Sequence, residues 1–297
     1  MTTFGDQVFE FGGVPVNGSL PLMVGGPTYK PNYYFVDGAN GADGNSGLKP
    51  NESLATVGEA ITRARARVNW SNTPWARRDV IVIAPGVYDE NLTSLAHGCV
   101  FVGLGWDTRD GQMGVKIKPT AGSAVQVGGV VNSSFINIGF ETGGGTNTYY
   151  AFDGGAVNNC YFENCFFSGP AESATIAAAF YSNQCVKSTF KNCWFCNALY
   201  GVRFEYEASG DSISYLDMSG CLVSGVTTAG IYTSANLVGP HSIVRNTDIF
   251  GGGQTITKGI DDNSGILTVS WCNIEATTAV EGCRAVNGSY GNGTLLT

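Results

Sequence analysis

The sequence predicts an all-β protein, a single right-handed parallel β-helix of about eight or nine coils. A short hexad of apolar, polar, Asn or Gly, and small apolar residues recurs about every 27 residues through the second half of the chain. Gly accounts for 42 of the 297 residues, which favours many tight turns. Only 13% of the residues are charged, which disfavours long amphipathic surface helices.

Six hexads define the repeat and its register. They are Phe135–Phe140, Phe162–Phe167, Phe190–Phe195, Met218–Val223, Val244–Ile249 and Val269–Ile274. Positions one and six are large and apolar and position four is mostly Cys, so all three are predicted to face the interior, whereas the mainly polar position two faces solvent. Because a straight strand alternates its faces, the chain must bend between positions one and four. Asn or Gly fills position three in five of the six hexads, since these residues tolerate left-handed backbone angles.

A capping helix is predicted over about residues 53–69. Thr56 and Glu59 have the spacing of a capping box. The apolar residues predicted to share one helix face are Val57, Ala60, Ile61, Ala64 and Val68. Since the end strands of a solenoid must be covered, we expect this helix to close the N-terminal end of a β-helix domain at 33–297. Residues 1–32 contain no repeat and are predicted to form a separate arm.

Composition and charge argue against several classes of protein. A net charge of −8 does not supply the basic face of a nucleic-acid-binding protein. No apolar run approaches the ~18 residues that a membrane span needs. The first residues lack a basic segment followed by an apolar one, so no signal peptide is predicted and synthesis in a reducing cytoplasm is expected. The nine cysteines are therefore interpreted as small buried hydrophobes rather than disulfides.

Few residues suggest catalysis. Glu205 and Glu207 lie two apart on a predicted strand and could share a face, with Asp211 nearby. They are weak candidates for a glycosidase pair, whose carboxyl groups lie about 5–9.5 Å apart. The neighbouring acids Asp261 and Asp262 fit a turn better than an active site, and no catalytic residue is assigned.

Oxygen-bearing side chains also cluster near the start of the predicted domain. Asp37, Asn40, Asp43 and Asn45 could supply oxygens to Ca²⁺, but their spacing does not match a calcium loop. A Gly-, Asn- and Asp-rich turn is favoured, and no metal or cofactor is predicted.

Position five of the middle hexads forms an apolar stripe of Phe166, Trp194 and Leu222 on the predicted outer surface. Exposed apolar patches usually mark contact surfaces. We expect a contact between copies of the chain; the alternatives are a long turn that covers the stripe and an aromatic platform for sugar.

Three segments resemble the opening of pectin-lyase-like parallel β-helix proteins. They are Tyr33–Gly47, Ser53–Ile61 and Val80–Tyr88, the last with its Ala-Pro-Gly-Val-Tyr ending. The resemblance extends over about residues 33–290. It implies the fold but no activity, since this superfamily holds lyases, glycosidases, epimerases and non-catalytic phage spike or fibre modules. The Gly-His-Gly and Arg-x-Lys motifs expected of polygalacturonases are absent.

The arm is similar to the short attachment segments of phage virion proteins. Its apolar residues, the predicted capsid anchors, are Phe4, Val8, Phe9, Phe11 and Val14. This resemblance implies a non-catalytic virion protein made in the host cytoplasm, a capsid decoration or head-fibre protein displayed as a homotrimer and held to a virion protein by residues 1–32. One alternative is a tailspike or tail fibre that binds host surface glycan. Another is a polysaccharide lyase or hydrolase that uses the Glu205 and Glu207 region.

Overall fold

The computed structural model describes residues 31–67, 79–105, 114–170, 176–208 and 211–296, and two short strands near the N-terminus. The described chain is an all-β parallel solenoid of about 6 turns, slightly fewer than the eight or nine predicted. The difference arises because incomplete turns at the two ends contribute strands to some walls only. No helix in the described part of the chain is both long and apolar enough to cross a membrane.

Parallel strands stacked from turn to turn build the walls of the solenoid. The 10 strands of the first wall are Tyr33–Val36, Val80–Ile83, Val100–Gly103, Ser134–Ile136, Tyr161–Glu163, Thr189–Lys191, Asp217–Ser219, Ser242–Arg245, Leu267–Ser270 and Ala285–Asn287. The second wall contains Gly86–Tyr88, Val115–Ile117, Gly139–Glu141, Phe166–Ser168, Trp194–Phe204, Leu222–Thr233, Asp248–Phe250, Asn273–Ile274 and Ser289–Gly291, with Thr294–Leu296 antiparallel at its end.

Two shorter walls complete some of the turns. The third wall contains Val125–Gln126, Tyr150–Asp153, Ala178–Ser182, the later halves of Trp194–Phe204 and Leu222–Thr233, Lys258–Asp262 and Thr278–Glu281. The fourth wall contains Gly129–Val131, Ala156–Asn158, Gln184–Val186 and Ile213–Ser214. Near the N-terminus, Glu10–Phe11 pairs antiparallel with Val14–Pro15; Phe4, Val8 and Phe9 of the arm lie outside the described residues.

Phenylalanine stacks fill the interior and confirm the predicted register. Phe162 pairs in register with Phe135 and Phe190, and its ring stacks on theirs at centroid distances of 5.0 and 4.7 Å. Phe167 and Phe195, at position six of their hexads, stack at 5.0 Å. All five are at most 1% exposed. Each stacked pair contributes about 0.5–1.5 kcal/mol beyond the burial of apolar area.

The cysteines confirm the prediction that they are buried small residues. All nine are free thiols and eight of them are buried. Cys165, Cys193 and Cys221 occupy position four in successive turns, and the Cys165 thiol donates a hydrogen bond of 3.3 Å to the Phe135 carbonyl oxygen. Burial raises the pKa of Cys193 well above that of an ordinary thiol, so this thiol stays protonated.

The bend at position three is left-handed in every hexad. Residues there have positive φ: Asn137, Asn164, Asn192, Gly220, Asn246 and Trp271, between 48° and 62°. Asn164 Nδ2 donates to Asn137 Oδ1 at 3.1 Å, so these asparagine side chains form a rung of a ladder between turns. A second ladder, which the repeat did not predict, joins Asn159 to Asn132 between the fourth and first walls.

Position two has one exception to its predicted exposure. Ile136 is 6% exposed because it belongs to a second apolar cluster on the outer face of the first wall, with Val82 and Val102. The other five residues at this position are half-buried or exposed, as expected.

The capping helix spans Val57–Arg67, shorter than the predicted 53–69, and a 3-10 turn precedes it at Pro50–Glu52. Residues 68 and 69 lie outside the described part of the chain. The helix buries Val57, Ala60, Ile61 and Ala64 in the main core, which confirms the predicted face.

Only half of the predicted capping box forms. The Glu59 backbone N–H donates to Thr56 Oγ1 at 3.2 Å, but the Glu59 carboxylate pairs with Arg63 instead of returning to the Thr56 N–H. That N–H donates to Asp43. The Glu90 carboxylate accepts hydrogen bonds of 2.7 Å from the next two N–H groups of the helix, a cap supplied from the following turn.

Candidate functional site

The outer face of the third wall concentrates aromatic and charged side chains. Phe152 and Phe180 are buried in the interior and pair in register, so the next residues, Asp153 and Tyr181, point outward. We name this surface the tyrosine wall; it comprises Tyr150, Asp153, Tyr181, Tyr200, Arg203 and Tyr232, with Glu205 and Glu207 just beyond the strand that ends at Phe204.

Two tyrosine pairs line this surface. The rings of Tyr150 and Tyr181 lie 4.6 Å apart, and those of Tyr200 and Tyr232 lie 5.1 Å apart. The Arg203 guanidinium lies 5.0 Å from the centre of the Tyr200 ring and 6.0 Å from that of Tyr232, within cation–π range. The wall is therefore a built arrangement of rings rather than scattered surface tyrosines.

The two glutamates predicted as a weak catalytic pair reach this wall, but each is already engaged. Arg203 Nη2 pairs with Glu205 Oε1 at 2.6 Å. Glu207 accepts hydrogen bonds from the Tyr181 hydroxyl and from Asn183 Nδ2, the latter at 3.2 Å. Burial and the hydrogen bond to Glu207 raise the pKa of Tyr181, so this hydroxyl remains a donor.

Asp153 is the acid that the sequence analysis missed. Burial, with a smaller contribution from the charge of Glu207, raises its pKa to about 6, against the hydrogen bond it accepts from the Gly155 N–H at 3.2 Å. A carboxyl group in this range can hold or release a proton near neutral pH. Its signal in the sequence is its position as a polar residue directly after the buried apolar pair Ala151-Phe152.

The remaining acidic candidates have structural roles. Asp211 Oδ2 accepts the N–H groups of Glu207 and Ala208, both at 2.7 Å, and fixes a turn. Asp262 is 1% exposed and accepts hydrogen bonds from the Thr233 hydroxyl and the Leu267 N–H. Asp261 pairs with Lys258. The predicted turn is wrong for these two acids: both lie at the end of the strand Lys258–Asp262, and the turn begins only at Asn263.

The predicted outer stripe is only partly exposed. Phe166 was expected on the surface, but it is 7% exposed because the Trp194 ring packs against it at 5.2 Å. Trp194 and Leu222 are half-buried. A groove of about 370 Å³ runs beside Phe166 and Trp194. Contact between copies through this stripe stays a prediction.

The oxygens near the start of the domain organise a turn. Asp37 accepts hydrogen bonds from the N–H groups of Ala39 and Asn40, and Asp43 accepts those of Ala55 and Thr56. Within the described residues, no group of three or more His, Cys, Asp or Glu side chains is arranged to hold a metal ion.

Comparison with solved structures identifies the fold. A pectin methylesterase from Aspergillus niger, in penultimately deglycosylated form, aligns at a TM-score of 0.56 and 14% identity over 89% of this chain and 87% of that one. The same enzyme in deglycosylated form aligns at 0.54, with the same identity and coverage. No family model matches the chain, and no curated protein does. The chain therefore has the pectin-lyase-like right-handed parallel β-helix fold.

Proposed function

We propose that this chain is a carbohydrate-binding β-helix protein of a phage particle, in which residues 1–32 attach the rod and the tyrosine wall meets polysaccharide. The activity at the wall is binding without cleavage. This proposal combines the virion role implied by the arm with the glycan recognition expected of a tailspike or fibre.

The observation that carries the proposal is the composition of the tyrosine wall. The C–H face of a pyranose ring is apolar and its edge carries hydroxyls, so it suits a surface of tyrosine rings bordered by charged groups. Tyrosine joins a large apolar face to one polar end. Tyr150, Tyr200 and Tyr232 are half-buried, which leaves part of each ring accessible.

The tyrosine wall also extends across successive turns, along the axis of the solenoid, and so offers the length that a polymer chain needs. The strands from Tyr150 to Tyr232 belong to four successive turns, and three strand spacings amount to about 14 Å. This length accommodates a short run of sugar rings. The solved structures with the same fold are named for their action on pectin, a polysaccharide, and the low identity leaves the ligand of this chain to be argued from its own residues.

Titration with bacterial surface polysaccharides, followed by calorimetry, tests the proposal. Tyr200→Ala and Tyr232→Ala should each weaken binding by about tenfold, the loss of one ring contact. The matched control is Tyr215→Ala, because Tyr215 is 50% exposed and lies at a bend outside the wall. Equal binding by all three variants, with unchanged circular dichroism, would contradict the proposal.

The virion setting has its own test. Deletion of residues 1–32 should abolish incorporation into particles while the rod keeps its β-sheet spectrum. Incorporation that persists without the arm would overturn its role as an anchor. Sedimentation equilibrium measures the mass of the displayed rod and should give that of a trimer.

Polysaccharide hydrolysis is the second candidate, favoured by the raised pKa of Asp153. In that reaction Asp153 would protonate the departing glycosidic oxygen, and Glu207 would activate water or attack the sugar. Release of reducing ends that disappears in Asp153→Asn would place this function first. Binding without release supports the non-catalytic proposal.

A further inference from the structure

Most charges on the tyrosine wall are already paired within the chain. Arg203 is paired with Glu205. Lys258 lies between Asp261, at 3.0 Å, and Glu281, at 2.9 Å. Neither cation is therefore free to neutralise another acid or to attract an anionic ligand.

Asp153 and Glu207 are the two acids of this surface that lack a cationic partner among the described residues. Among the described residues no Lys or Arg forms an ion pair with either carboxylate. Their hydrogen-bond partners are the neutral donors Gly155, Tyr181 and Asn183. Glu207 is exposed, and its charge contributes to the raised pKa of Asp153, so the two charges act on one region.

Neutral groups around these two acids also favour a positive ligand. The Tyr181 hydroxyl donates to Glu207, and the half-buried Tyr150 ring lies against Tyr181, so its accessible face can attract a cation here. When ionised, the Asp153 and Glu207 carboxylates can only accept hydrogen bonds. An ammonium group carries three donors and no acceptor, which matches this set.

We propose that the tyrosine wall selects polysaccharides with free amino groups, such as those built from N-deacetylated hexosamine, and that Asp153 and Glu207 receive the ammonium. The inference rests on the proposed carbohydrate-binding function and adds the class of sugar. A uronic acid polymer would place carboxylates against these two acids, and this repulsion excludes it.

Calorimetry with three probes tests the selection near neutral pH, where Asp153, with a pKa of about 6, is mostly ionised: a glucosamine hexamer, its N-acetylated counterpart and a galacturonic acid hexamer. The glucosamine hexamer should bind about tenfold more tightly than the acetylated one, the effect of one charge-assisted contact. Asp153→Asn and Glu207→Gln should each remove about tenfold of that affinity and leave the acetylated hexamer unaffected. Glu281→Gln is the matched control, since it removes a charge from the same wall where Lys258 is already shared.

The possible results distinguish failure of the amino-sugar preference from failure of the proposed carbohydrate binding. Equal or tighter binding of the acetylated or uronic hexamer, still lost in Tyr200→Ala, would overturn the amino-sugar class and keep carbohydrate binding. No binding of any hexamer or surface polysaccharide would overturn both. If polylysine binds as tightly as the glucosamine hexamer and Glu281→Gln weakens both equally, bulk attraction to an acidic protein explains the result and the inference fails.

Discussion

The asparagine bend offers a direct test of how the repeat is held. Asn164 has a φ of 52° and donates to Asn137 Oδ1 at 3.1 Å. Alanine loses this hydrogen bond and places a Cβ in the left-handed region, so Asn164→Ala should lower the free energy of unfolding by about 2–3 kcal/mol. Glycine loses the same bond but adopts the angle freely, so Asn164→Gly should cost about 1.5–2 kcal/mol.

The assay is urea unfolding followed by far-ultraviolet circular dichroism, with the slope compared among the three proteins. The order wild type, glycine, alanine is the informative result, because the gap of about 1 kcal/mol between the two variants isolates backbone strain from the ladder bond. Equal stability of the alanine and glycine variants would refute the left-handed bend as the reason for asparagine at this position.

Three further changes have defined outcomes. Phe162→Ala should lower the free energy of unfolding by about 4 kcal/mol, and Phe162→Leu by about 1 kcal/mol, because the ring is fully buried in the stack. Urea unfolding measures both losses, and equal losses would contradict the stacking argument. Folding raises the pKa of Asp153, which lies near the titratable groups Tyr150, Tyr181 and Glu207, from 3.8 to about 6, so the folded protein should lose stability as pH rises through this window. Asp153→Asn should flatten that part of the pH–stability curve, and an unchanged slope would contradict this expectation. Glu90→Gln should destabilise the capping helix by about 1 kcal/mol, seen as faster hydrogen exchange in Val57–Arg67, whereas unchanged exchange would show that the cap contributes little.

The repeat made the interior and the bends predictable from sequence. Period and residue type together place Phe162 inside and Asn164 at the turn, because every turn repeats the same geometry. The predicted outer stripe failed at Phe166 because the Trp194 ring of the next turn packs against it. The repeat indicates which face a residue occupies but not how far its neighbours cover it.

The candidate site was less predictable than the fold. Glu205 and Glu207 were identified as acids near one another, and Arg203, the partner of Glu205, lies two residues before it. Tyr181 and Asn183, the partners of Glu207, come from the preceding turn. Loops of unequal length precede the third wall, so sequence spacing does not reveal which polar residues meet there. Asp153 was missed because its unusual proton affinity is set by burial, which no local motif encodes.

The cysteine column makes the rod sensitive to its redox history. Cys165, Cys193 and Cys221 lie in successive turns, and strands in adjacent turns are spaced about 4.8 Å apart, close enough for a disulfide to join neighbours. Packing protects these thiols while the core is closed, since their carbonyl partners and neighbouring rings exclude oxidants. If the rod opened under oxidising conditions, a disulfide could form between cysteines of adjacent turns. The cysteines that had formed the disulfide would then identify which turns opened first.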